Sequence, residues 1–428
     1  MVPWYTGEAM KLAIPSFQFR FIPSMGNVVF PGNFHPVGTQ MAADAMLERV
    51  GASESQGGEN WLIVGGSGGF GSAARAVLGG RHGANTLNVS LDAQPTPESN
   101  NKIRKIGSPG FHRNLALERG LTKRGTKAGS IIGDAFDPAI RDEVVATVRE
   151  SFDGKINGLV WALAAPRATD PRTGKAVTSA LKPLGKSLSV KTFTGRDEKR
   201  GKVPQVVEME LPPGSPEEAI STIFVMGGGI VRQWIDVLIA ADVLAEGFTL
   251  YTISYRGNPL NAGMYRDGLI GLAKADLEFE TAVLNAQLAE RVGGKALAVE
   301  GPAVVTEASG GIPGVPFYLA HMLEVMGDKF EDPLASMQRM FAGHFSEDGL
   351  PTDDDGLVRM DDVELQEAFQ TELAARYDAA AVGSNFDDGL YDRFMSEYGK
   401  TRGFDIAGVD YEAEFDTDAV CGLPPSEG

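Results

Sequence analysis

VGGSGGFGSAARAV, residues 64–77, follows a short apolar run and opens a helical pattern that has no β-branched residue in its first turns. Gly66, Gly69 and Gly71 would permit a tight turn and let an anion approach backbone N–H groups at a helix N-terminus, where the helix dipole favours negative charge. Strand, glycine loop and helix in this order are the context of a dinucleotide fingerprint. A packing turn between strand and helix could carry the same glycines, so the loop alone leaves both interpretations open.

A second feature favours the dinucleotide. Asp92 ends the next predicted strand, at about the distance where a carboxylate accepts hydrogen bonds from an adenosine ribose. A carboxylate there also repels a 2'-phosphate, which favours NADH over NADPH. An aspartate at the start of a loop is the alternative for Asp92 taken singly, but the two features together predict an NAD(H) site.

The rest of the chain alternates between strand and helix signals. Short apolar runs occupy residues 60–66, 84–91, 129–136, 157–166, 248–255 and 296–309, and helical patterns occupy residues 138–152 and 231–247. Strands separated by helices require parallel crossovers. The sequence therefore predicts an α/β fold, with a Rossmann-type doubly wound parallel sheet, long inserted loops and a helical C-terminal extension.

This rhythm also predicts a division of the chain into three parts. We expect an N-terminal extension that packs on the core over residues 1–57, an NAD-binding and catalytic domain over 58–332, and a mainly helical cover and tail over 333–428. Irregular insertions are predicted at 93–113 and 167–213, where long loops often bind ligands. The acidic stretch 345–367 is interpreted as a solvated loop and helix entry.

The carboxyl ends of two further predicted strands are expected to line the same crevice. Asp134 and Ala135 end the third strand of the series, and Leu163 and Ala164 end the fourth. Ligands of open parallel sheets lie outside the carboxyl ends of the strands. Each of these positions could also simply terminate a strand.

Composition excludes several classes of function. The formal net charge is -18 and the pI about 4.8, which argues against a nucleic-acid partner because such binding depends on clustered Lys and Arg. The single cysteine, Cys421, is expected in a loose tail, and the five histidines match no metal-ligand spacing, so no metal is assigned. No apolar run reaches 18 residues, so we expect no membrane span and a cytoplasmic protein.

The candidate chemistry lies in GMYRDGLIGLAKAD, residues 263–276, where Tyr265 precedes Lys274 by nine positions. A tyrosine hydroxyl could stabilise the enolate that forms when hydride reaches an alkene conjugated to a carbonyl. A nearby ammonium could lower the phenol pKa and hold the nicotinamide ribose. Nine residues turn through about 900°, which places the two side chains on opposite faces of a regular helix. Tyr265 must then lie in a turn before a helix that starts near Asp267 or Gly268, or the helix must bulge; otherwise the pair is a half-buried aromatic and a solvated lysine.

Several motifs resemble a known family. They are HPVG (35–38), GGSGGFGSAAR (65–75), GDAF (133–136), LAAPRATDPRTG (163–174), LKPLGK (181–186), MGG (226–228), VVTEASGGIP (304–313) and GVDYEAE (408–414), together with Tyr255, Tyr265 and Lys274. In these motifs the chain resembles the large single-chain trans-2-enoyl-CoA reductases and FabV-type enoyl-acyl-carrier-protein reductases. These are relatives of the short-chain dehydrogenases with an enlarged Tyr-x8-Lys spacing.

The resemblance implies NADH-dependent reduction of the carbon–carbon double bond of a trans-2-enoyl thioester, carried by coenzyme A or an acyl carrier protein. Tyr265 resembles the proton donor, Lys274 the lysine that holds the cofactor, and Tyr255 a substrate contact. The residues that resemble the nucleotide contacts are Gly65, Gly66, Ser67, Gly68, Gly69, Phe70, Leu91, Asp92, Asp134, Ala135, Leu163, Ala164, Lys274, Val304, Val305 and Thr306. We expect a monomer, with a homodimer as the alternative.

The chain departs from the family pattern at several positions. Phe70 replaces the usual tyrosine, Asp92 the usual glutamate, Glu307 a glutamine and Gly310 a serine, and residues 229–231 read Gly-Ile-Val where an acid and a tryptophan are usual. The last three departures are expected near the acyl chain and thioester. They motivate a second hypothesis, an NAD(H) oxidoreductase like the short-chain dehydrogenases that acts on another enone or ketone. A third hypothesis, a silent nucleotide-binding module, predicts loss of Tyr265 or Lys274, and both are present.

Overall fold

A computed structural model describes residues 10–25, 27–53, 58–96 and 99–422. The predicted N-terminal extension, the insertion at 93–113 and the tail therefore lie partly outside the described residues. The strands are β1 Lys11–Leu12, β2 Phe19–Ile22, β3 Val28–Pro31, β4 Asn60–Val64, β5 Asn85–Ser90, β6 Ala128–Ile132, β7 Ile156–Trp161, β8 Arg167–Asp170, β9 Lys175–Thr178, β10 Leu188–Phe193, β11 Val206–Leu211, β12 Leu244–Ser254, β13 Lys295–Glu300, β14 Val358–Arg359 and β15 Phe415–Asp416. The α-helices are α1 Pro36–Val50, α2 Gly69–Arg81, α3 Lys102–Ile106, α4 Pro109–Lys123, α5 Pro138–Ser151, α6 Pro216–Met226, α7 Gly229–Ala240, α8 Leu269–Val292, α9 Val315–Met326, α10 Pro333–His344, α11 Glu367–Ala379, α12 Asp388–Lys400 and α13 Thr417–Val420.

The central sheet is parallel, with strand order β14-β13-β12-β7-β4-β5-β6. The chain moves outward from β4 through β5 to β6, then returns to place β7 on the other side of β4. The strand order thus reverses between β4 and β7, which is where open α/β sheets form their binding crevice. This arrangement confirms the predicted Rossmann-type fold.

Helices cover both faces of the sheet. One apolar cluster joins the sheet to α5, α7 and α8, and a second joins it to α2, α4 and α10. Each residue of β4 is buried. Its continuous apolar sequence is typical of a strand that is covered on both faces. The rings of Trp61 and Tyr251 lie parallel across the second face, 6.3 Å apart.

Local sequence signals start several of these helices. Ser108, Asp137, Ser215 and Asp332 each precede a proline at the first helical position, and each side chain accepts a hydrogen bond from a backbone N–H of the first turn. Such caps satisfy N–H groups that have no partner within the helix, and proline there removes a donor that would be unpaired. The starts of α4, α5, α6 and α10 are thus encoded locally.

Three predictions of secondary structure were partly wrong. The insertion predicted as irregular at 93–113 contains α3 and the start of α4 in its described part, where Asn101 and Ser108 cap the two helices. The helix predicted over 231–247 ends at Ala240, because Asp242 adopts a left-handed conformation (φ 55) and Leu244 already pairs with β7. The insertion predicted as irregular at 167–213 folds into two antiparallel hairpins, β8–β9 and β10–β11. In the second hairpin, β10 buries its last two residues, Thr192 and Phe193, and β11 buries its two ends, Val206 and Leu211.

The segment 216–240 is long and apolar enough to cross a membrane by length and composition, with a mean hydropathy of 1.5. It divides into α6 and α7 at Gly227, and both helices pack on α8. Trp234 of α7 is fully buried against the sheet. Packing within the protein therefore accounts for part of the apolar character of this segment, since 44% of it is buried while Ile220 of α6 is 70% exposed.

The N-terminal and C-terminal segments pack on each other. β1 pairs with β15, and Phe17 contacts Tyr398 and Phe404. Cys421, expected in a loose tail, is instead buried at 4% exposure beside α3. The reason is the apolar contact that α13 makes at this seam. The boundaries at 57 and 332 stay predictions.

Candidate active site

The glycine loop joins β4 to α2 at the crevice. Gly65 has a positive φ of 96, and a Cβ at this position would lie 2.6 Å from the Leu163 nitrogen. A Cβ on Gly66 would lie 2.1 Å from Asn88 Oδ1. No side chain caps the N-terminus of α2 at Gly68. The close approach of Leu163 and Asn88 therefore requires glycine at these two positions. The uncapped N–H groups of the helix start are available to a diphosphate, so this end of the helix fits a dinucleotide.

An arginine braces the same loop. Arg113 of α4 donates to the Ser67 carbonyl oxygen, to Glu307 Oε1 at 3.1 Å and to the Thr401 carbonyl oxygen at 2.8 Å. Arg402 pairs with the other oxygen of Glu307 at 3.4 Å. A Cβ on Gly68 would lie 3.5 Å from Glu307 Oε1. Two arginines therefore hold Glu307 beside the glycine loop, and its expected place near the acyl chain stays a prediction.

Packing accounts for Gly310. A Cβ on Gly310 would lie 2.5 Å from the Tyr398 ring, so the close approach of α12 requires glycine there. In the departure at 229–231, Ile230 and Val231 are buried in the apolar core, but a Cβ on Gly229 would meet no atom within 4 Å, so packing does not explain that glycine.

Asp92 is half-buried at the end of β5. Its carboxylate accepts hydrogen bonds from Ser90 Oγ at 2.7 Å, Ser108 Oγ at 3.1 Å and Asn114 Nδ2 at 3.3 Å. Ser108 is the N-cap of α4, so Asp92 also fixes the start of that helix. A ribose would have to share this carboxylate with three protein donors. Leu91 beside it is 72% exposed and offers an apolar surface at the same edge.

The remaining predicted nucleotide contacts lie at the carboxyl ends of neighbouring strands. Asp134 accepts from the Phe136 N–H at 3.0 Å, and Trp234 Nε1 donates to the Ala135 carbonyl oxygen at 2.9 Å. Positions 163 and 164 follow β7, and positions 304–306 follow β13. The Phe70 ring covers Gly301, where a Cβ would lie 3.0 Å from it. The structure thus brings the predicted contacts to one edge of the sheet.

Tyr265 lies in the turn that leads into α8. The helix starts at Leu269, with Gly268 as N-cap, so the prediction that Tyr265 precedes the helix is confirmed. A Cβ on Gly268 would lie 2.3 Å from the Met264 carbonyl oxygen, and one on Gly271 would lie 2.3 Å from the Tyr265 carbonyl oxygen. The two glycines are needed because the turn folds back onto the first turn of α8.

Two tyrosines meet at the end of β12. The rings of Tyr255 and Tyr265 have centroids 4.7 Å apart at an interplanar angle of 84°. Burial, and secondarily the Glu364 carboxylate, raises the pKa of both phenols above the ordinary value. The expectation that an ammonium lowers the Tyr265 pKa was therefore wrong. Both groups stay protonated at neutral pH and can act as hydrogen-bond donors.

Lys274 lies on the first turns of α8 at the same strand end. Its Nζ donates to the Ile253 carbonyl oxygen at 3.3 Å, two residues before Tyr255, and the side chain is buried at 8% exposure. Burial lowers its pKa, and the charges of Glu300 and Glu278 oppose that effect. In the part of the chain that the structure describes, no hydrogen bond joins Lys274 to Tyr265.

A carboxyl cluster lies beneath Lys274. Glu278 accepts from Ser254 Oγ at 3.1 Å and from Arg256 Nη2 at 2.7 Å. Glu300 is fully buried, and burial together with the neighbouring Glu278 raises its pKa to about 8. The two acids therefore hold one proton between them at neutral pH, which limits the negative charge near Lys274.

Sequence reasoning missed three residues at the tyrosine pair. Asn258 and Asn261, in the loop between the tyrosines, both donate to Tyr255 Oη, and Glu364 accepts from Asn258 at 2.9 Å. Glu364 belongs to the acidic stretch that was interpreted as solvated, yet it is 1% exposed. No local signal separates it from its exposed neighbours. The two asparagines could have been found from their position between Tyr255 and Tyr265.

A surface groove elsewhere is not part of this site. Arg49, Arg81, His82 and Phe345 are among its lining residues. It lies at the C-terminal end of α2, at the opposite edge of the sheet from the glycine loop. Nor do the described residues contain a group of three or more His, Cys, Asp or Glu that could hold a metal.

Comparison with protein families gives three matches along the chain. Residues 22–97 match the NAD(P)H binding domain of trans-2-enoyl-CoA reductase, and residues 105–345 match the trans-2-enoyl-CoA reductase catalytic region. The chain belongs to the trans-2-enoyl-CoA reductase family. It is an enoyl reductase, and the NAD(P)H-binding match contains the glycine loop described above.

Relatives of this enoyl reductase cover nearly all of it. An enoyl-(acyl-carrier-protein) reductase (NADH) of Pseudomonas fluorescens is 35% identical, over 90% of this chain and 94% of the relative. A crystal structure of a Clostridium trans-2-enoyl-CoA reductase with NADH matches with a TM-score of 0.85 and 30% identity, covering 97% of this chain and all of that one. The Treponema denticola trans-2-enoyl-CoA reductase with NAD matches with a TM-score of 0.81 and 30% identity, covering 94% and 98%.

The third family match, over residues 352–415, is to an enoyl reductase FAD binding domain. These residues form β14, α11, α12 and the start of β15. In this range, which the structure describes throughout, no strand leads through a glycine loop into a helix. The residues therefore do not fit a flavin dinucleotide, and the region instead covers the tyrosine pair through Glu364.

Proposed function

We propose that this enoyl reductase uses NADH to reduce the carbon–carbon double bond of a trans-2-enoyl thioester, with Tyr265 as the group that stabilises and protonates the enolate. The observation that carries the proposal is the Tyr255–Tyr265 pair at the end of β12. Both phenols are protonated, and their ring centroids lie 4.7 Å apart. The glycine loop lies at the end of β4 in the same sheet. A dinucleotide on that loop would extend its reactive end toward the tyrosines.

When bound, the reduced nicotinamide supplies a hydride to C3 of the enoyl group. Negative charge then accumulates on the thioester carbonyl oxygen, and the Tyr265 hydroxyl donates a hydrogen bond to it. Burial strengthens this interaction because little water screens it. The proton that completes the reaction at C2 comes from Tyr265 or from a water molecule that it orients.

Lys274 has a positioning role toward the cofactor. Its ammonium, tethered to the Ile253 carbonyl oxygen, has donors left for the hydroxyls of a nicotinamide ribose. The proton shared by Glu278 and Glu300 reduces the negative charge beneath Lys274. The charge that remains on these carboxyl groups attracts the ammonium and favours the charged form of the lysine. Gly65–Phe70, Asp92, Asp134–Ala135, Leu163–Ala164 and Val304–Thr306 would hold the rest of the dinucleotide, with Asp92 selecting against a 2'-phosphate.

The carrier of the acyl group would approach from the hairpin insertion. Although the chain is strongly acidic overall, the exposed cations Arg167, Lys175 and Lys186 lie in this insertion. The insertion contacts the catalytic turn, since the Leu269 N–H donates to the Lys182 carbonyl oxygen at 2.9 Å. Coenzyme A and an acyl carrier protein both present negative charge there. We further propose a monomer that works in the cytoplasm.

The alternative of a ketone substrate loses its main support. It rested on Glu307 and Gly310 as departures at the acyl site, and both residues serve the packing of the protein itself. Glu307 lies between Arg113 and Arg402 at the glycine loop, and Gly310 accommodates Tyr398.

The test is oxidation of NADH, followed by absorbance, with crotonyl-CoA, with the same acyl group on an acyl carrier protein, and with a panel of ketones. We expect turnover with one or both thioesters and none with the ketones. A Tyr255→Phe/Tyr265→Phe variant is the control for background oxidation. Turnover on ketones alone, or no turnover on any substrate, would overturn the proposal.

A further inference from the structure

The amide groups of Asn258 and Asn261 have fixed orientations. Asn261 Oδ1 accepts from the Asn258 N–H at 2.8 Å, and Asn258 Oδ1 accepts from the Leu260 N–H at 3.0 Å. If either amide were rotated, its NH2 group would face a backbone N–H, and two donors would meet. Each NH2 group must therefore point the other way.

Both NH2 groups meet the hydroxyl of Tyr255. Asn261 Nδ2 lies 3.0 Å from Tyr255 Oη, and Asn258 Nδ2 lies 3.4 Å from it. Asn258 is 3% exposed, so its amide belongs to the protein interior. The phenol oxygen thus accepts from two donors and has no acceptor capacity to spare.

The position of Asn258 is set by a buried acid. Its Nδ2 also donates to Glu364 Oε1 at 2.9 Å, and the same carboxylate accepts from Tyr318 Oη at 2.7 Å and from the Ala303 N–H at 2.6 Å. A carboxylate that accepts three hydrogen bonds in the interior is held rigidly. Glu364 thus links the C-terminal part of the chain to Tyr318 and Ala303 of the central part, and the network reaches the tyrosine pair through the Asn258 amide.

The hydroxyl hydrogen of Tyr255 makes no hydrogen bond to the described residues. Among the residues that the structure describes, none accepts a hydrogen bond from Tyr255 Oη. Because both amides face the oxygen as donors, the O–H must point away from them, toward the crevice. The Tyr265 ring stands edge to face with the Tyr255 ring, with centroids 4.7 Å apart, so two phenols lie side by side at this strand end.

We propose that Asn261 and Asn258 are positioning residues that compel Tyr255 to act as a hydrogen-bond donor to the same carbonyl oxygen that Tyr265 serves. Tyr255 is then the second donor of a two-phenol oxyanion site, and more than a contact to the substrate. This inference rests on the proposed function, because it needs a substrate carbonyl in the crevice.

The experiment compares Asn261→Asp with Asn261→Ala at pH 8, where the new carboxyl group is ionised. Aspartate has the shape of asparagine and still accepts from the Asn258 N–H, but its second oxygen accepts the Tyr255 proton and withdraws it from the substrate. We expect kcat to fall about 100-fold, as for loss of one oxyanion donor, with the KM for NADH unchanged. Alanine leaves the hydroxyl free to rotate, so its loss should be smaller. A purely structural role predicts the reverse order, because alanine is the larger truncation.

A double-mutant cycle with Tyr255→Phe completes the test. Without the hydroxyl, either Asn261 substitution should cause little further loss of kcat, whereas independent losses would multiply. Asn285→Asp is the matched control, since this exposed asparagine accepts from the Ala296 N–H on the far end of α8. If Asn261→Asp does not fold, the cycle with Asn261→Ala gives the same answer.

The outcomes separate the inference from the function on which it rests. A wild-type protein that fails to oxidise NADH with any enoyl thioester contradicts the proposed function. An active wild type with Asn261→Asp within about twofold of it, or with losses that multiply in the cycle, contradicts the inference alone.

Discussion

The rings of Tyr265 and Tyr255 pack edge to face, with an interplanar angle of 84° and a centroid distance of 4.7 Å. Nine residues lie between the two tyrosines, and this loop closes over Gly257, where a Cβ would lie 2.9 Å from Tyr265 Cβ. The pair is therefore built by one tight loop between β12 and α8. Both phenols are half-buried and stay protonated at neutral pH, so the structure offers donors where an enolate oxygen would form.

Tyr265→Phe removes one of these donors without changing the ring. We expect kcat to fall by about 100- to 1000-fold, the range for loss of a donor to a developing oxyanion, with NADH affinity nearly unchanged. Steady-state kinetics and a fluorescence titration with NADH measure the two effects. Tyr377→Phe, which removes a hydroxyl bonded to the Lys191 N–H in the C-terminal part, is the control. Turnover close to that of the wild type would remove Tyr265 from the chemistry.

Lys274→Met retains the length of the side chain and removes its charge. We expect the Kd for NADH to rise by about tenfold or more, since hydrogen bonds from a charged donor contribute about 1.5–3 kcal/mol, and kcat to fall with it. Calorimetric titration with NADH measures the affinity. Lys295→Met removes an exposed lysine at the start of β13 and should leave both values unchanged. Unaltered NADH binding in Lys274→Met would mean that the ammonium does not reach the cofactor.

Asp92→Asn tests the selection between NADH and NADPH. The amide oxygen can still accept from the Ser108 hydroxyl that caps α4, while the negative charge is lost. We expect kcat/KM for NADPH relative to NADH to rise on the order of tenfold, because like charges no longer meet at the 2'-phosphate. A melting curve checks that the cap survives. An unchanged preference in a folded variant would contradict the ribose assignment.

Glu307→Gln tests the charge beside the glycine loop. Its carboxylate pairs with Arg113 and Arg402 and lies beside the glycine loop on which we propose that the diphosphate binds. Loss of this charge should lower the KM for NADH by about three- to tenfold, equivalent to roughly 0.7–1.4 kcal/mol, and the effect should shrink in high salt. Glu324→Gln, on an exposed face of α9, is the matched control. A higher KM would show that the carboxylate instead supports the loop.

Glu300→Gln tests the shared proton beneath Lys274. The Glu300 pKa is raised from 4.5 to about 8, so between these values the folded state binds more protons than the unfolded state, and the free energy of unfolding falls as pH rises. We expect the wild-type melting temperature to drop between pH 6 and pH 9, and the drop to be smaller in the variant. Equal drops in the two proteins would contradict the raised pKa.

Much of the fold could be predicted because its signals are local. Strands covered on both faces appear as continuous apolar runs, and Ser-Pro or Asp-Pro pairs mark helix starts such as Ser215–Pro216. The end of α7 was mispredicted because the sequence pattern of residues 231–247 is helical throughout, whereas the backbone turns at Asp242. The strand that follows is determined by pairing with β7, which no local window contains.

The site was predictable only where its residues share a motif. The glycine loop, Tyr265 and Lys274 each lie in a short motif whose residue types and spacing indicate a chemical role. Glu364 lies 106 residues from Asn258 in an acidic run, and its burial depends on how the C-terminal helices pack. The direction of the Tyr255 proton likewise depends on two amide orientations, which become visible only when their backbone partners are placed.

The pairing of β1 with β15 joins Lys11 to Asp416, and the Met10 N–H donates to Thr417 Oγ1 at 3.3 Å. During synthesis the first strand leaves the ribosome long before its partner, and at about 5–20 residues per second the wait is roughly 20–80 s. The apolar side chains of Leu12 and Ile14, buried in the finished protein, stay uncovered through that interval. This edge of the protein therefore forms last, and a chain truncated before residue 415 would leave β1 without the strand that pairs with it.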